Sequence, residues 1–369
     1  MNKPINLLFI LPNIIQGNGV FSFCWNYLRF ISNDDFAVSV VTIDREPSLA
    51  FCDFCKVKNI PLYLLPDPWR IGYQKHRQSV VRFFKKHHDF TIAHCNIPNY
   101  GFFYLHEAKK YGIPIRILHS HNTESSDVFW KKEINKAGSL LTRRFATDYF
   151  ACSNAAGVFA FKKKPFTIVH NAVDQSRFSY SANARDDIRN KLRIPKSAFV
   201  VGFVGRLDIQ KNPLFLISIF YSWIKSNPNS YCVIVGNGPM LLAVKKKVEE
   251  NGLSDRVLFA GVVQDASPWY SAFDVFVLPS LFEGLVLSGI EAQSVGVPCV
   301  FSSGSSSELL FKKNAAIIGL KEGPSLWCEE IQKVLTMPNE IIPENDTYDI
   351  RKEAIKLCHK YIELTKKIL

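Results

Sequence analysis

Short apolar runs of strand length alternate with helix-length mixtures of polar and apolar residues, and the series starts twice. Ile5 to Leu11, Ala37 to Ile43, Phe90 to Cys95, Ile115 to His119, Tyr149 to Cys152 and Phe166 to Val169 read as strands buried on both faces. Phe199 to Val204, Tyr231 to Val235, Val257 to Phe259, Val275 to Leu278 and Val297 to Phe301 form the second series, with helices expected at Asn212 to Ser226 and Met240 to Glu250. Such alternation defines parallel sheets covered by helices on both faces, and the restart defines two of them. A chain of 369 residues also exceeds the ~250 to 300 residues at which one core stops growing. Periodicity fades between Asp174 and Lys196, so the expected units are 1–178 and 179–348. Residues 349–369 form a helical pattern, with Ile350, Ala354, Leu357, Tyr361 and Ile362 near one face and no strand after it. This helix is expected to cross back to the first unit.

Apolar residues make up 47% of the chain and 29 positions are Phe, which excludes a disordered chain. The longest apolar run, Ile5 to Ile15, is broken by Asn6, Pro12 and Asn13 and falls short of the ~20 residues of a membrane span. The same break, with no small-x-small site after it, argues against a secretory leader. Nine cysteines at irregular spacing suggest no disulfide framework and so a reducing, cytoplasmic setting. Cys52 and Cys55 form the one close pair; with no second ligand pair at the usual zinc spacing, they read as helix cysteines.

The net charge is +12, and residues 1–180 carry +10 of it. Lys and Arg cluster at Lys75 to Lys86, Lys131 to Arg144 and Lys162 to Lys164, with Phe83, Phe84, Phe129, Trp130, Phe159 and Phe161 among them. Nucleic acid and an anionic membrane leaflet both reward such clusters. The chain has no recognised nucleic-acid reader motif, which favours the membrane and the expectation of no nucleic-acid partner.

Three strand-to-helix junctions carry the chemistry. Gln16-Gly17-Asn18-Gly19-Val20 follows the first strand, where Gly17 and Gly19 would let backbone N–H groups approach an anion; it is neither a G-x-G-x-x-G nor a Walker loop. Val204-Gly205-Arg206-Leu207-Asp208-Ile209-Gln210-Lys211-Asn212-Pro213 opens the second series and would bring a guanidinium, an ammonium and a helix N-terminus to one diphosphate. Phe282-Glu283-Gly284-Leu285-Val286-Leu287-Ser288-Gly289-Ile290-Glu291 places two carboxylates, with seven residues between them, where sugar hydroxyls could be accepted from. Glutamates in so apolar a junction need partners.

Gly205-Arg206-Leu207 with Lys211, Val235-Gly236-Asn237-Gly238-Pro239, Glu283-Gly284-Leu285 with Glu291-Ala292, and Asn171-Ala172-Val173-Asp174 together resemble the retaining glycosyltransferases of family 4. The resemblance covers roughly residues 5 to 310 and looks closest to the bacterial polysaccharide-assembly branch, where a segment like His119-Ser120-His121-Asn122-Thr123 is familiar. Ala172 departs from the family's Gly, and Val286, Ser288 and Gly289 depart from its usual Gly, Pro or large apolar residues around the donor sugar.

The resemblance implies an α/β protein of the GT-B fold, two Rossmann-like doubly wound domains facing across a cleft, the first binding the acceptor and the second a nucleotide sugar. It implies that Arg206 and Lys211 hold the donor diphosphate, Glu283 contacts the donor sugar and Glu291 the ribose. Backbone from Leu285 through Val286 to Leu287 would lie near phosphate or sugar, and Gly236, Asn237 and Gly238 would line the nucleotide. It implies that His121 faces the reacting centre, with His119, two residues away, as the alternative.

No Asp-x-Asp occurs, so the two cations are expected to stand in for a metal, with no cofactor beyond the nucleotide-sugar substrate. The expected activity is hexosyl transfer, with retention, from a UDP-linked sugar to a cell-surface polysaccharide (capsule, O-antigen or lipopolysaccharide) or a lipid-linked oligosaccharide. The expected place is the inner face of the cytoplasmic membrane. The rivals are a nucleotide-sugar epimerase or hydrolase of the same fold, and a non-catalytic nucleotide-sugar-binding partner.

Overall fold

The structure, a computed structural model, describes residues 3–32, 34–45, 47–122, 129–342 and 348–368, with the side chains of 129–132 outside that description. The chain divides into two compact units, Met1–His170 with Ile350–Leu369, and Asn171–Asp349. The division falls after His170, earlier than residue 178, because the intervening residues are fastened to the second unit. The Val173 N–H donates to the Tyr348 carbonyl at 3.0 Å, Asn171 Nδ2 donates to the Leu285 carbonyl, and the Phe178 ring lies edge-on to Tyr270 at 6.0 Å.

The first unit holds seven parallel strands, β1 (Ile5–Ile10), β2 (Phe36–Asp44), β3 (Leu62–Pro66), β4 (Ile92–Cys95), β5 (Ile115–Ser120), β6 (Asp148–Ala151) and β7 (Thr167–Ile168), in the order β3-β2-β1-β4-β5-β6-β7. Its helices are α1 (Gly19–Leu28), α2 (Leu49–Val57), α3 (Pro68–Ile71), α4 (Tyr73–Lys86), α5 (Phe102–Lys110), α6 (Phe129–Phe145) and α7 (Asn154–Phe161). Leu7, Leu8, Phe9 and Ile10 are wholly buried, as a central strand covered on both faces requires.

The second unit holds α8 (Ala182–Lys191), β8 (Phe199–Val204), α9 (Pro213–Ser226), β9 (Ser230–Val235), α10 (Leu241–Glu250), β10 (Val257–Gly261), α11 (Ser267–Ala272), β11 (Val275–Leu278), α12 (Leu287–Val295), β12 (Cys299–Ser302), β13 (Ala315–Ile318) and α13 (Pro324–Thr336). Its sheet runs β10-β9-β8-β11-β12-β13, all parallel. In both units the strand order reverses beside the first strand, at β1/β4 and at β8/β11, and such a switch point opens a crevice at the carboxyl ends. Among the described residues no helix is long and apolar enough to cross a membrane.

Two devices fasten the outlying helices. Arg189 of α8 is buried and fully employed: its guanidinium donates to the carbonyls of Lys196, Ala198 and Ala272 and to Asp274 Oδ2 at 2.7 Å. Asp274 also takes the Val200 N–H at 2.7 Å, so a desolvated charge is compensated where β8 begins. The last helix, α14 (Ile350–Lys366), packs on α1 in the first unit and sends the buried Tyr361 hydroxyl to within 2.5 Å of His94 Nδ1.

Candidate active site

At the carboxyl edge of the second sheet, three loops are zipped together through the backbone. The Gly205 N–H donates to the Val235 carbonyl, the Leu207 N–H to Asn237, the Met240 N–H to Leu207 and the Gly236 N–H to Gly261, at 2.8 to 3.0 Å. Gly236 sits at φ 132°, and a Cβ there would lie 2.0 Å from the Gly205 carbonyl oxygen, so only glycine lets the loops close. Gly238 and Asn237 belong to the same seam, Asn237 Oδ1 accepting from the Gly238 N–H at 2.7 Å.

Arg206 and Lys211 leave this seam in different settings. The Arg206 side chain is 62% exposed and its Nε lies 3.8 Å from Asp208 Oδ2, whereas Lys211 is 15% exposed and its Nζ meets Glu283 Oε1 at 2.7 Å. Glu283 itself is buried, which makes this a largely desolvated ion pair. Gln210 completes the arrangement, its Nε2 donating to the Phe282 carbonyl at 3.0 Å and to Glu283 Oε2 at 3.3 Å, while its own carbonyl takes the Leu281 N–H at 2.7 Å. The loops after β8 and β11, which flank the switch point, therefore converge on one carboxylate.

Beyond Glu283, the buried Leu285 and Val286 lead into α12, which no side chain caps; Leu287 is its first residue. The N-terminus of α9, behind Asn212, likewise has no side-chain cap. Two uncapped helix N-termini at one sheet edge suit anionic oxygens. Glu291 stands a little over one turn into α12, half-buried, with its Oε2 accepting from the Tyr270 hydroxyl at 2.6 Å; burial pushes its carboxyl up from the usual range. Gln210, Tyr270 and Asn171 were not among the expected site residues. Their signal was faint: Gln210 adjoins Lys211 and Asn171 opens the quoted Asn-Ala-Val-Asp segment, while nothing in the sequence links Tyr270 to Glu291.

In the first unit, Gly17 turns at φ 82° and Gly19 opens α1, whose N-terminus is capped by Asn18, its side chain accepting from the Phe21 N–H at 3.1 Å. His119 lies at the end of β5 and His121 just past it, and Thr123 lies outside the described residues. Their rings stack 4.1 Å apart, and His119 Nδ1 meets His94 Nε2 at 3.0 Å. Asn96 Nδ2 faces the carbonyls of Ile10 and His94, which turns its Oδ1 toward His121 Nε2 at 2.8 Å. The amide oxygen accepts, so His121 carries its proton on Nε2, and its buried Nδ1 is a bare acceptor with no partner.

Burial pushes His94 and His121 down to about 3 and holds His119 well below the usual imidazole range. Unfolded histidines take up protons from about pH 6.5, and the folded ones resist until about pH 3. Stability conferred by these neutral rings is therefore complete above pH 6.5 and drains away as pH falls. The expected result is a urea midpoint that drops steeply between pH 7 and pH 4.5, less steeply in His119→Phe. A flat midpoint across that range would contradict the assignment.

The basic, aromatic segments divide in an unexpected way. Phe83, Phe84 and Phe161 are core residues, because each lies on the inward face of α4 or α7, and they are not offered to a surface. Phe129 and Trp130 fall among the side chains not described. What α6 and α7 do expose is Ile134, Leu140, Leu141, Val158 and Phe159, beside exposed Arg144 and Lys162 to Lys164.

A pair of doubly wound parallel units, the second carrying a cation–carboxylate cluster at its switch point, defines a protein of GT-B architecture. Anabaena HepE in complex with UDP and glucose superimposes over 99% of this chain and 100% of its own with a TM-score of 0.78 at 18% identity. Residues 198–337, within the second unit, match the family Glycosyl transferases group 1. The putative glycosyltransferase EpsF of Bacillus subtilis is 28% identical over 69% of this chain and 69% of its own length. The UDP-Gal:alpha-D-GlcNAc-diphosphoundecaprenol alpha-1,3-galactosyltransferase of Escherichia coli is 27% identical over 77% of this chain and 76% of its own.

Proposed function

We propose that this chain is a retaining glycosyltransferase that moves a sugar from a UDP-linked donor to a cell-surface polysaccharide or a lipid-linked oligosaccharide. The observation that carries it is the Lys211–Glu283 ion pair, with Arg206 paired to Asp208 on the same loop, and two uncapped helix N-termini at the second sheet's switch point. The Escherichia coli relative is named for a UDP-sugar donor and a diphosphoundecaprenol-linked acceptor, which supports the substrate classes.

In this reading the donor diphosphate lies against Arg206, Lys211 and the α9 N-terminus, the sugar hydroxyls reach Glu283, and the ribose hydroxyls reach Glu291. Breaking the bond between C1 and the phosphate oxygen leaves negative charge on the nucleoside diphosphate, and preorganised cations stabilise that charge as it develops. The acceptor oxygen bonds to C1 on the face the phosphate leaves, and its proton passes to the departing phosphate oxygen. This front-face route needs no carboxylate nucleophile; trapping a covalent glycosyl-enzyme in turnover would refute it. Arg206 and Lys211 supply the positive charge that a metal would otherwise bring, so metal-independent donor binding is part of the proposal.

Calorimetry of the full chain with UDP, GDP, ADP and dTDP sugars in EDTA tests the donor site. One UDP sugar should bind, and Glu291→Ala should weaken it by about tenfold, since a hydrogen bond to a charged group contributes about 1.5 kcal/mol. Binding to none, or an unchanged affinity in Glu291→Ala, would count against the assignment.

The exposed apolar residues of α6 and α7, with the basic residues beside them, support attachment to an anionic leaflet at the cytoplasmic membrane. Co-sedimentation with anionic vesicles, lost at high salt and absent with neutral ones, is the expected result. Equal partition into both would remove the charge argument.

A further inference from the structure

We propose that Gln210 is a positioning residue for Glu283, holding its carboxylate aimed by a bond to the oxygen that Lys211 does not take. This rests on the reading of Glu283 as the donor-sugar contact.

The geometry is specific. Lys211 Nζ engages Oε1 at 2.7 Å and Gln210 Nε2 engages Oε2 at 3.3 Å, so the two carboxylate oxygens are held from consecutive residues of one loop. A carboxylate gripped at one oxygen can still rotate about its last side-chain bond; gripped at both, it has a fixed plane. Gln210 is itself anchored, because its Nε2 also donates to the Phe282 carbonyl at 3.0 Å and its backbone oxygen takes the Leu281 N–H at 2.7 Å. Glu283 is fixed from behind as well, its N–H donating to the Gly304 carbonyl at 2.7 Å.

The charges around this grip are laid out in sequence: Lys211 faces Glu283, the Lys211 N–H goes to Asp208 Oδ1 at 3.1 Å, and Asp208 pairs with Arg206. An amide at position 210 therefore donates without adding charge. A carboxylate in its place would face another carboxylate across the same gap.

The test uses the full chain labelled with carbon-13 at the glutamate carboxyls, the Glu283 resonance being the one absent in Glu283→Gln. In Gln210→Glu the Glu283 resonance should be displaced and broadened at neutral pH, because two facing carboxylates push apart. In Gln210→Met it should move less, through loss of the donor. With a UDP-sugar donor, Gln210→Met should lower kcat by about tenfold or more while the donor KM moves far less, as misplacement at a reacting centre does.

An unmoved Glu283 resonance in both variants, or a change in KM alone, would overturn the proposal. A thermal melt shows whether Gln210→Glu folds, and Gln210→Met decides the matter if it does not. A wild-type chain that binds no nucleotide sugar would instead remove the glycosyltransferase reading, and the Glu283 resonance would still decide whether Gln210 governs Glu283.

Discussion

Lys211→Ala should lower turnover by about 10²-fold or more, and by more than Arg206→Ala does, in an assay with saturating UDP-sugar donor. The order follows from solvation. Both cations would meet the departing diphosphate, but Lys211 is 15% exposed and Arg206 is 62% exposed, so less water screens the field of Lys211. Lys211→Ala also strips the ammonium from a buried glutamate, which should destabilise the chain by about 3 kcal/mol. The two consequences separate in Lys211→Ala/Glu283→Gln: removing the stranded charge should restore the melting temperature without restoring turnover. If Arg206→Ala proves the more damaging, or both singles turn over near the normal rate, the diphosphate does not lie where it is placed here.

Gly236→Ala should be the most damaging single methyl in the second unit. Its Cβ would stand 2.0 Å from the Gly205 carbonyl oxygen, at a backbone φ of 132° that residues with side chains rarely adopt. Relief requires the β8 and β9 loops to part, breaking the bonds from Gly205 to Val235 and from Leu207 to Asn237 and displacing Arg206. About 3 kcal/mol is the expected loss, seen as a fall in melting temperature of about 10 °C, with donor affinity reduced tenfold or more. A melting temperature within 2 °C of wild type would show that the seam has slack.

The alternation of apolar runs exposed the two sheets because the central strands are buried on both faces and tolerate almost no polar residue. At two partly buried strands the pattern vanished. β3 is bracketed by Pro61 and Pro66 and only half-buried, and β13 is Ala-Ala-Ile-Ile after two lysines and an asparagine, half-exposed along its length. Both are edge strands, and neither was expected.

The site divides along the same line. Arg206, Lys211, Glu283 and Glu291 were legible because each sits in a local strand-to-helix junction. The partners that set their chemistry come from elsewhere in the chain: Gln210 lies 73 residues from Glu283 and Tyr270 lies 21 from Glu291, distances no local pattern spans. Phe83, Phe84 and Phe161 misled for the opposite reason, since neighbouring lysines in sequence say nothing about which helix face an aromatic occupies.

The helix α14 gives the molecule an asymmetric order of completion during synthesis. The second unit is one unbroken stretch, Asn171–Asp349, whereas the first waits for Ile350–Leu369. As the chain leaves the ribosome from its N-terminus, the second unit has every residue it needs before the first can seat Tyr361 against His94. The unit translated first is therefore the last to close, and until it does its histidine cluster lacks one wall. A nascent chain halted before Ile350 should hold a finished second unit and an unfinished first, so the half proposed to take the nucleotide sugar matures ahead of the half proposed to take the acceptor.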